Sequence, residues 1–326
     1  MRIYRSLEEA APLFAPSALT IGNFDGVHAA HHELMRHVVR LARECGAGPS
    51  ALTFYPHPAE VLAPERAPLL LSSPAERCSL MERDGIEQVL ILPFDERVSS
   101  LDPEAFFRQI LIDRLGARAV AIGHNFLFGR NQSGDAATMS ALGLRFGVRI
   151  EIVPAVRRRG LIVSSSEIRR LLAAGDVAKA GRLLERPFAL SGHVVGGTGR
   201  GRAETVPTLN LELSSLTLQR PALPASGVYI TRTSSSPDMT PGGPFWRSVT
   251  NVGFRPTFGG RNLTIETFLL DPLIGPPPEH IRVEFLWRIR EERAFPSAAA
   301  LRAQILRDVA RAETFFRRTA GLAAAI

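Results

Sequence analysis

The stretch "LTIGNFDGVHAAHHELM", residues 19–35, sets an apolar, strand-like run against a turn of Gly, Asn and Asp, then opens a helical pattern on two histidines three residues apart. Leu34, Val38 and Leu41 continue that pattern as one apolar stripe, and Gly46 stands where the helix would stop. A strand that turns through glycine into a helix leaves backbone N–H groups bare at the helix start, which suits an anion. His28 and His31 are one turn apart and share a face there. A lone His-x-x-His is more often a capping or surface pair, but the flanking Gly-Asn-Phe-Asp-Gly favours a bound polyphosphate. As zinc ligands the two lack a third partner at a recognisable spacing.

Outward from this stretch, the chain to about residue 186 alternates short apolar runs with helical periods. The runs are "ALTIG", "ALTFY", "QVLILPF", "RAVAIG" and "RIEIVPA", and the pattern predicts an α/β domain with a parallel sheet covered on both faces. Polar residues gather at the run ends: Asn23 and Asp25, "YPHP" at 55–58, "GHN" at 123–125 and "SSS" at 164–166. Ligands bind at the carboxyl ends of strands in such sheets, so the four clusters are expected to converge. From residue 187 the helical period gives way to "FALSGHVV", "TLNLEL", "GVYITRT", "RSVTNVG", "LTIETFLLD" and "IRVEFLWRIR", followed by a helical pattern over 297–316. These predict an antiparallel β-barrel closed by a helix. The expected domains are therefore 1–186 and 187–326. "TSSSPDMTPGGP" at 233–244 reads as a hairpin tip.

The bulk numbers agree with two domains: 326 residues, 45% hydrophobic and 22% charged. The net charge of +7 is scattered, with only "RRR" at 157–159 as a run, which favours small anions over nucleic acid. Aromatic residues, at 7%, do not interleave with arginine as stacking platforms for nucleic acid require. Lys179 is the only lysine, so a P-loop is absent and phosphate must be held otherwise. Cys45 and Cys78 are too few for a disulfide framework or a zinc site. With no apolar run near 18 residues and a charged start, "MRIYRSLEEA", the expectation is a cytoplasmic protein without a membrane segment.

The opening stretch resembles the "GxFDGVHxGH" signature of the bacterial bifunctional riboflavin kinase/FMN adenylyltransferases, also called FAD synthetases. The resemblance continues in "FYPHPAEVL" at 54–62, "IGHNFLFGR" at 122–130 and "SSSEIRRLLAAGDVAKAGRLLERPF" at 164–188. In the second half it runs through "VPTLNL" at 206–211, "NVGFRPTFGG" at 251–260, "IETFLLD" at 265–271 and "LRAQILRDVARAE" at 301–313.

The resemblance implies a Rossmann-like nucleotidyltransferase half that moves AMP from ATP to FMN, giving FAD and pyrophosphate. By matching positions, His28 and His31 contact ATP phosphates. Gly22, Asn23, Phe24, Asp25 and Asn125 line the nucleotide and flavin pocket, while Ser164, Ser165 and Arg169 close over the phosphates. In the second half, "PTLN" implies that Thr208 and Asn210 hold Mg²⁺ with ATP. Glu266 is implied as the general base that accepts the proton of the riboflavin ribityl hydroxyl. "GGTGRGR" supplies Gly197, Arg200 and Gly201 for a phosphate loop.

Seven positions in four motifs depart from the family pattern. Ala30 stands for Gly, Asn125 and Leu127 stand for Asp and Arg, Ser166 stands for Thr, and Ala203, Thr205 and Val206 alter the kinase loop. The expected substrates and products are ATP, riboflavin, FMN and FAD, with no nucleic-acid or membrane partner and the oligomeric state open. Two other readings remain open on the sequence: an enzyme keeping one activity, with the kinase the weaker, and a basic nucleic-acid-binding protein.

Overall fold

The computed structural model describes residues 1–11, 13–14, 16–195, 208–213, 220–235, 244–257 and 260–323. The chain forms two compact units, Met1–Ser165 and Ser166–Ile326. Among the described residues no helix is long and apolar enough to cross a membrane.

The first unit is built on six parallel strands: β1 (Arg2–Tyr4), β2 (Ser17–Ile21), β3 (Gly48–Tyr55), β4 (Gln88–Pro93), β5 (Ala117–Gly123) and β6 (Arg149–Val153). They lie in the order β1-β4-β3-β2-β5-β6. β2 is buried at every residue, as expected of a central parallel strand with helices on both faces. The helix Ala29–Cys45 buries Leu34, Met35, Val38 and Leu41, the predicted stripe extended by Met35, and Gly46 ends it in the left-handed conformation. One core gathers Leu19, Leu52, Leu90 and Val120 against Phe106, Phe107 and Leu111. The strand order reverses direction between β2 and β5: from β2 the chain proceeds to β3 and β4 on one side, then returns to place β5 on the other. Such a reversal opens a crevice at the strand ends. The arginine run sits on a small hairpin, β7 (Arg157–Arg158) and β8 (Leu161–Ile162). Burial raises the Cys78 thiol to about 11, so it stays protonated and inert.

The second unit begins within the helix Ser165–Ala173, continues through the helix Val177–Leu184 and then forms the barrel. Its strands are β9 (Phe188–Val195), β10 (Leu209–Glu212), β11 (Gly227–Ser234), β12 (Trp246–Thr257), β13 (Gly260–Leu269) and β14 (His280–Glu291). All pair antiparallel and close in the order β10-β13-β12-β11-β14-β9, with β9 returning to β10. The interior carries a chain of hydroxyls at 2.8 to 2.9 Å, linking Thr233, Ser248, Thr231, Thr250 and Thr267. Each is fully buried, and each finds its partner in the next hydroxyl, which removes the cost of an unpaired buried donor. On the outer face Val228, Ile230, Val249 and Ile289 pack under Ala312, Phe315 and Phe316 of the helix Ala298–Ala323. Asp308 fixes that helix, accepting from Arg290 Nε at 2.9 Å and from Gln304 Nε2 at 2.8 Å.

Candidate functional site

The loop after β2 lies at the sheet's reversal point, and its geometry is unusual for its residue types. Phe24 and Val27 hold φ of 47° and 35°, left-handed values that side chains other than glycine rarely adopt. Each costs on the order of 1–3 kcal/mol, offset here by near-complete burial of both side chains. Gly22 packs closely: a Cβ there would meet the Phe24 ring at 3.2 Å, so the ring would have to give by a few tenths of an ångström. The Phe24 ring in turn meets the His31 ring edge-on, with centroids 5.1 Å apart. His28 caps the helix Ala29–Cys45 and is 4% exposed. Its backbone N–H donates to His31 Nδ1 at 3.4 Å, and the two rings stack at 3.6 Å. Gly22, Phe24, His28 and His31 therefore form one mechanical chain at the helix start, and Ala30 lies in its first turn.

Asp25 and Asn23 bind this loop to its neighbours. The Asp25 carboxylate accepts from the Leu71 N–H at 2.9 Å and from the Ser72 N–H at 3.1 Å. Ser72 Oγ accepts from the Gly26 N–H at 2.8 Å, which closes the link. Arg77 lies beneath, with Nη2 3.6 Å from Asp25 and Nη1 donating to the Asn23 carbonyl at 3.0 Å. Burial pulls the Arg77 guanidinium below its ordinary value, and the Asp25 carboxylate opposes that pull. The Asn23 amide is 3.2 Å from His57 Nε2. The contacting Asn23 atom is the amide nitrogen Nδ2, and His57 Nδ1 accepts from the Ala59 N–H at 3.1 Å.

The other strand ends contribute as placed. Asn125 follows β5, the strand beside β2, and is exposed. Ser164 immediately precedes the helix Ser165–Ala173, and Ser165 Oγ donates to the Asp25 carbonyl at 2.8 Å. Arg169 is half-buried one helical turn beyond Ser165, on the same face.

In the barrel, Asn210 on β10 stands directly opposite Glu266 on β13, and Glu266 stands opposite Asn251 on β12. Residues in register project to one face, so Asn210, Glu266 and Asn251 form a row across three strands. All three are half-buried and lie on the face opposite the hydroxyl chain, because Thr250 and Thr267 alternate with them. Thr208 precedes β10 and is exposed. Gly197, Arg200, Gly201 and the altered positions 203–206 lie outside the described residues, as does most of the 233–244 tip.

Three residues of these constellations were not singled out from the sequence. Arg77 reads there as an ordinary helix-surface arginine, and His57 as one member of a polar cluster. Asn251 shows its value only through the β12–β13 register. A signal existed in the alternation of "SVTNVG" against "TIETF", but it needs the pairing to be read.

One half thus carries a strained, histidine-capped loop at its sheet's reversal point, and the other a polar row across three barrel strands, two distinct units in one chain. Two family models match accordingly, FAD synthetase over residues 12–167 and riboflavin kinase over residues 184–316. A bifunctional riboflavin kinase/FMN adenylyltransferase of Pseudomonas fluorescens is 35% identical over 313 residues, 96% of this chain and 97% of its own. Its counterpart in Escherichia coli strain K12 is 34% identical over 298 residues, 91% and 92% of the two chains. Among solved structures, one described as a macrolide-efflux protein from Streptococcus pneumoniae matches with a TM-score of 0.81 at 28% identity, covering 94% of this chain and 96% of that one. The chain belongs to the family of bifunctional riboflavin kinase/FMN adenylyltransferases, with its FAD synthetase half first and its riboflavin kinase half second. Its chemistry is that of an ATP-dependent transferase that works with a divalent metal.

Proposed function

We propose that the N-terminal half converts FMN and ATP to FAD and pyrophosphate, and that the C-terminal half makes the FMN by phosphorylating riboflavin. The observation that carries the first part is the stacked His28–His31 pair at a helix start, placed at the sheet's reversal point. In the transfer, a phosphate oxygen of FMN attacks the α-phosphorus of ATP while the bond to the bridging oxygen breaks and pyrophosphate leaves. Such a displacement needs charge neutralisation and alignment more than a protein nucleophile. His28, His31 and the helix-start N–H groups hold the ATP phosphates, with Ser164, Ser165 and Arg169 in support. Gly22 and Phe24 set the position of His31. Asp25 and Asn23 keep the loop in place, and Asn125 lines the flavin side.

In the barrel, Glu266 accepts the proton of the ribityl 5′-hydroxyl as its oxygen attacks the γ-phosphorus of ATP, and ADP leaves. The Thr208 hydroxyl and the Asn210 amide oxygen are hard oxygen donors that would hold Mg²⁺ with ATP. When bound, Mg²⁺ neutralises charge on the phosphates. Gly197, Arg200 and Gly201 are proposed for the same phosphates on the family pattern alone. The proposed domains are 1–186 and 187–326. Two free thiols support a cytoplasmic location.

The deciding experiment is incubation of the full chain with riboflavin, ATP and Mg²⁺, followed by separation of the flavins. FMN followed by FAD supports both steps. Accumulation of FMN alone, or conversion of supplied FMN without use of riboflavin, restricts the chain to one activity.

A further inference from the structure

His193 and His280 belong to neither proposed site. His193 lies on β9 and His280 opens β14, and the register sets them directly opposite each other on one face of the barrel. Both are exposed. Their Nε2 atoms are 3.1 Å apart, with ring centroids at 3.7 Å and planes tilted by 50°. Centroids so close exclude two rings meeting nitrogen to nitrogen end-on. The imidazoles stand side by side, and since both rise from the same face, their Nε2 edges point away from the backbone into solvent.

The nitrogen spacing suits a shared metal ion once the rings splay apart. Two imidazole nitrogens bound to one ion at about 2.0–2.1 Å are roughly 2.9–3.4 Å apart for bond angles between square and tetrahedral; the observed 3.1 Å falls inside that interval, and the centroids at 3.7 Å must separate further by side-chain rotation for both nitrogens to aim at the ion. Glu212 on β10 stands opposite His193 on its other side, which adds a carboxylate to the same row and favours a cation. Among the described residues no three His, Cys, Asp or Glu side chains form a complete metal cluster. Two imidazoles and solvent then supply the coordination, as in an exchangeable site rather than a closed structural one.

We propose that His193 and His280 form a surface binding site for one borderline divalent transition ion of the Zn²⁺, Ni²⁺ or Cu²⁺ class. Imidazole suits these ions, whereas the oxygen donors around Glu266 suit Mg²⁺, so the two halves of the barrel surface select different metals. The ion bridges β9 and β14. The two ligands lie 87 residues apart in sequence and meet only through the strand register. Binding therefore favours the folded barrel and raises its thermal midpoint with the logarithm of ion concentration once the ion exceeds its dissociation constant. The stacked His28–His31 pair is a poorer competitor, since His28 is 4% exposed and His31 Nδ1 already accepts from the backbone.

The test is calorimetric titration of the full chain with Ni²⁺ in the absence of nucleotide, repeated on His193→Gln, His280→Gln and the double variant, with circular dichroism on each. The expected result is one ion per chain in the wild type, at least tenfold weaker binding in each single variant, and no binding at that site in the double variant. Unchanged affinity and stoichiometry in a folded double variant overturns the proposal. A second measurement needs no variant: Cu²⁺ bound to the wild-type chain at one equivalent should show two nitrogen donors by electron paramagnetic resonance, and Zn²⁺ should shift the ring signals of His193 and His280 by NMR. Zn²⁺ shifts confined to His28, His31 or the other histidines equally overturn it.

Discussion

The rings of His28 and His31 stack 3.6 Å apart and within 14° of parallel, and the Phe24 ring holds His31 from the side. Phe24 in turn closes over Gly22, which leaves only tight room for a methyl group. Gly22→Ala should therefore act on the phosphate site without touching it. A Cβ at 3.2 Å from the Phe24 ring forces the ring outward by a few tenths of an ångström, and His31 loses its lateral support. The expected outcome is a loss of about tenfold or more in FAD formation, with riboflavin phosphorylation unchanged. Steady-state kinetics with FMN and with riboflavin as separate substrates check this.

The register of Asn251 with Glu266 gives a second expectation. An amide beside a carboxylate fixes its orientation, so Asn251→Ala should lower kcat for FMN formation by about tenfold while leaving the riboflavin KM nearly constant. Asn251→Asp adds a like charge next to the base and should be worse. A rise in KM with kcat unchanged would instead assign Asn251 to substrate binding.

Asp271 carries a pH dependence. Hydrogen bonds from the Arg247 side chain hold its carboxyl below the ordinary carboxylate range, against the opposing effect of partial burial. Because the folded value lies below the unfolded one, the pair's stabilisation is complete above the unfolded carboxylate's pKa of about 4 and disappears as pH falls through the lower folded value. The pair is partly exposed, so its contribution is on the order of 1 kcal/mol. Asp271→Asn should lower the thermal midpoint by roughly 2–4 °C at pH 7, and the gap from wild type should narrow steadily below pH ~4. Calorimetric scans of both proteins across that range measure the gap.

The proposed boundary at 186/187 predicts that a fragment of residues 1–186 makes FAD from FMN, and that 187–326 makes FMN from riboflavin. The compact units divide earlier, after Ser165, and group the helices Ser165–Ala173 and Val177–Leu184 with the barrel. The Ala225 N–H donates to the Leu172 carbonyl at 2.9 Å, one of the bonds that a cut at 186 would sever. Comparing 187–326 with 166–326 by circular dichroism and kinase assay decides whether those helices are needed by the second fragment.

The fold was legible where burial writes a simple pattern. β9 matches "FALSGHVV" residue for residue, and the inner parallel strands β2 to β5 fall on the apolar runs, because strands covered on both faces are largely apolar, while the edge strand β6 falls on "RIEIVPA" despite its exposed residues. β1 escaped notice because three residues at a sheet edge carry no period. The turn of the opening loop into a helix was legible, but its internal wiring was not. Asp25 reads as a pocket residue, and its carboxylate is engaged by the Leu71 and Ser72 backbone, a partnership across 46 residues that no local pattern encodes. Arg77 and Asn251 were hidden for the same reason, since their roles arise from packing and register rather than from spacing along the chain.

The central claim, one chemistry for each half, is tested most directly by assaying His31→Ala and Glu266→Gln side by side on riboflavin and on FMN. His31→Ala removes a phosphate contact, so FAD formation should fall on the order of 10²-fold or more in kcat while riboflavin phosphorylation continues. Glu266→Gln keeps the side chain's size but not its basicity, so FMN formation should fall while supplied FMN still becomes FAD. Equal loss of both steps in a folded His31→Ala chain, or loss of FAD formation from supplied FMN in Glu266→Gln, would contradict the assignment.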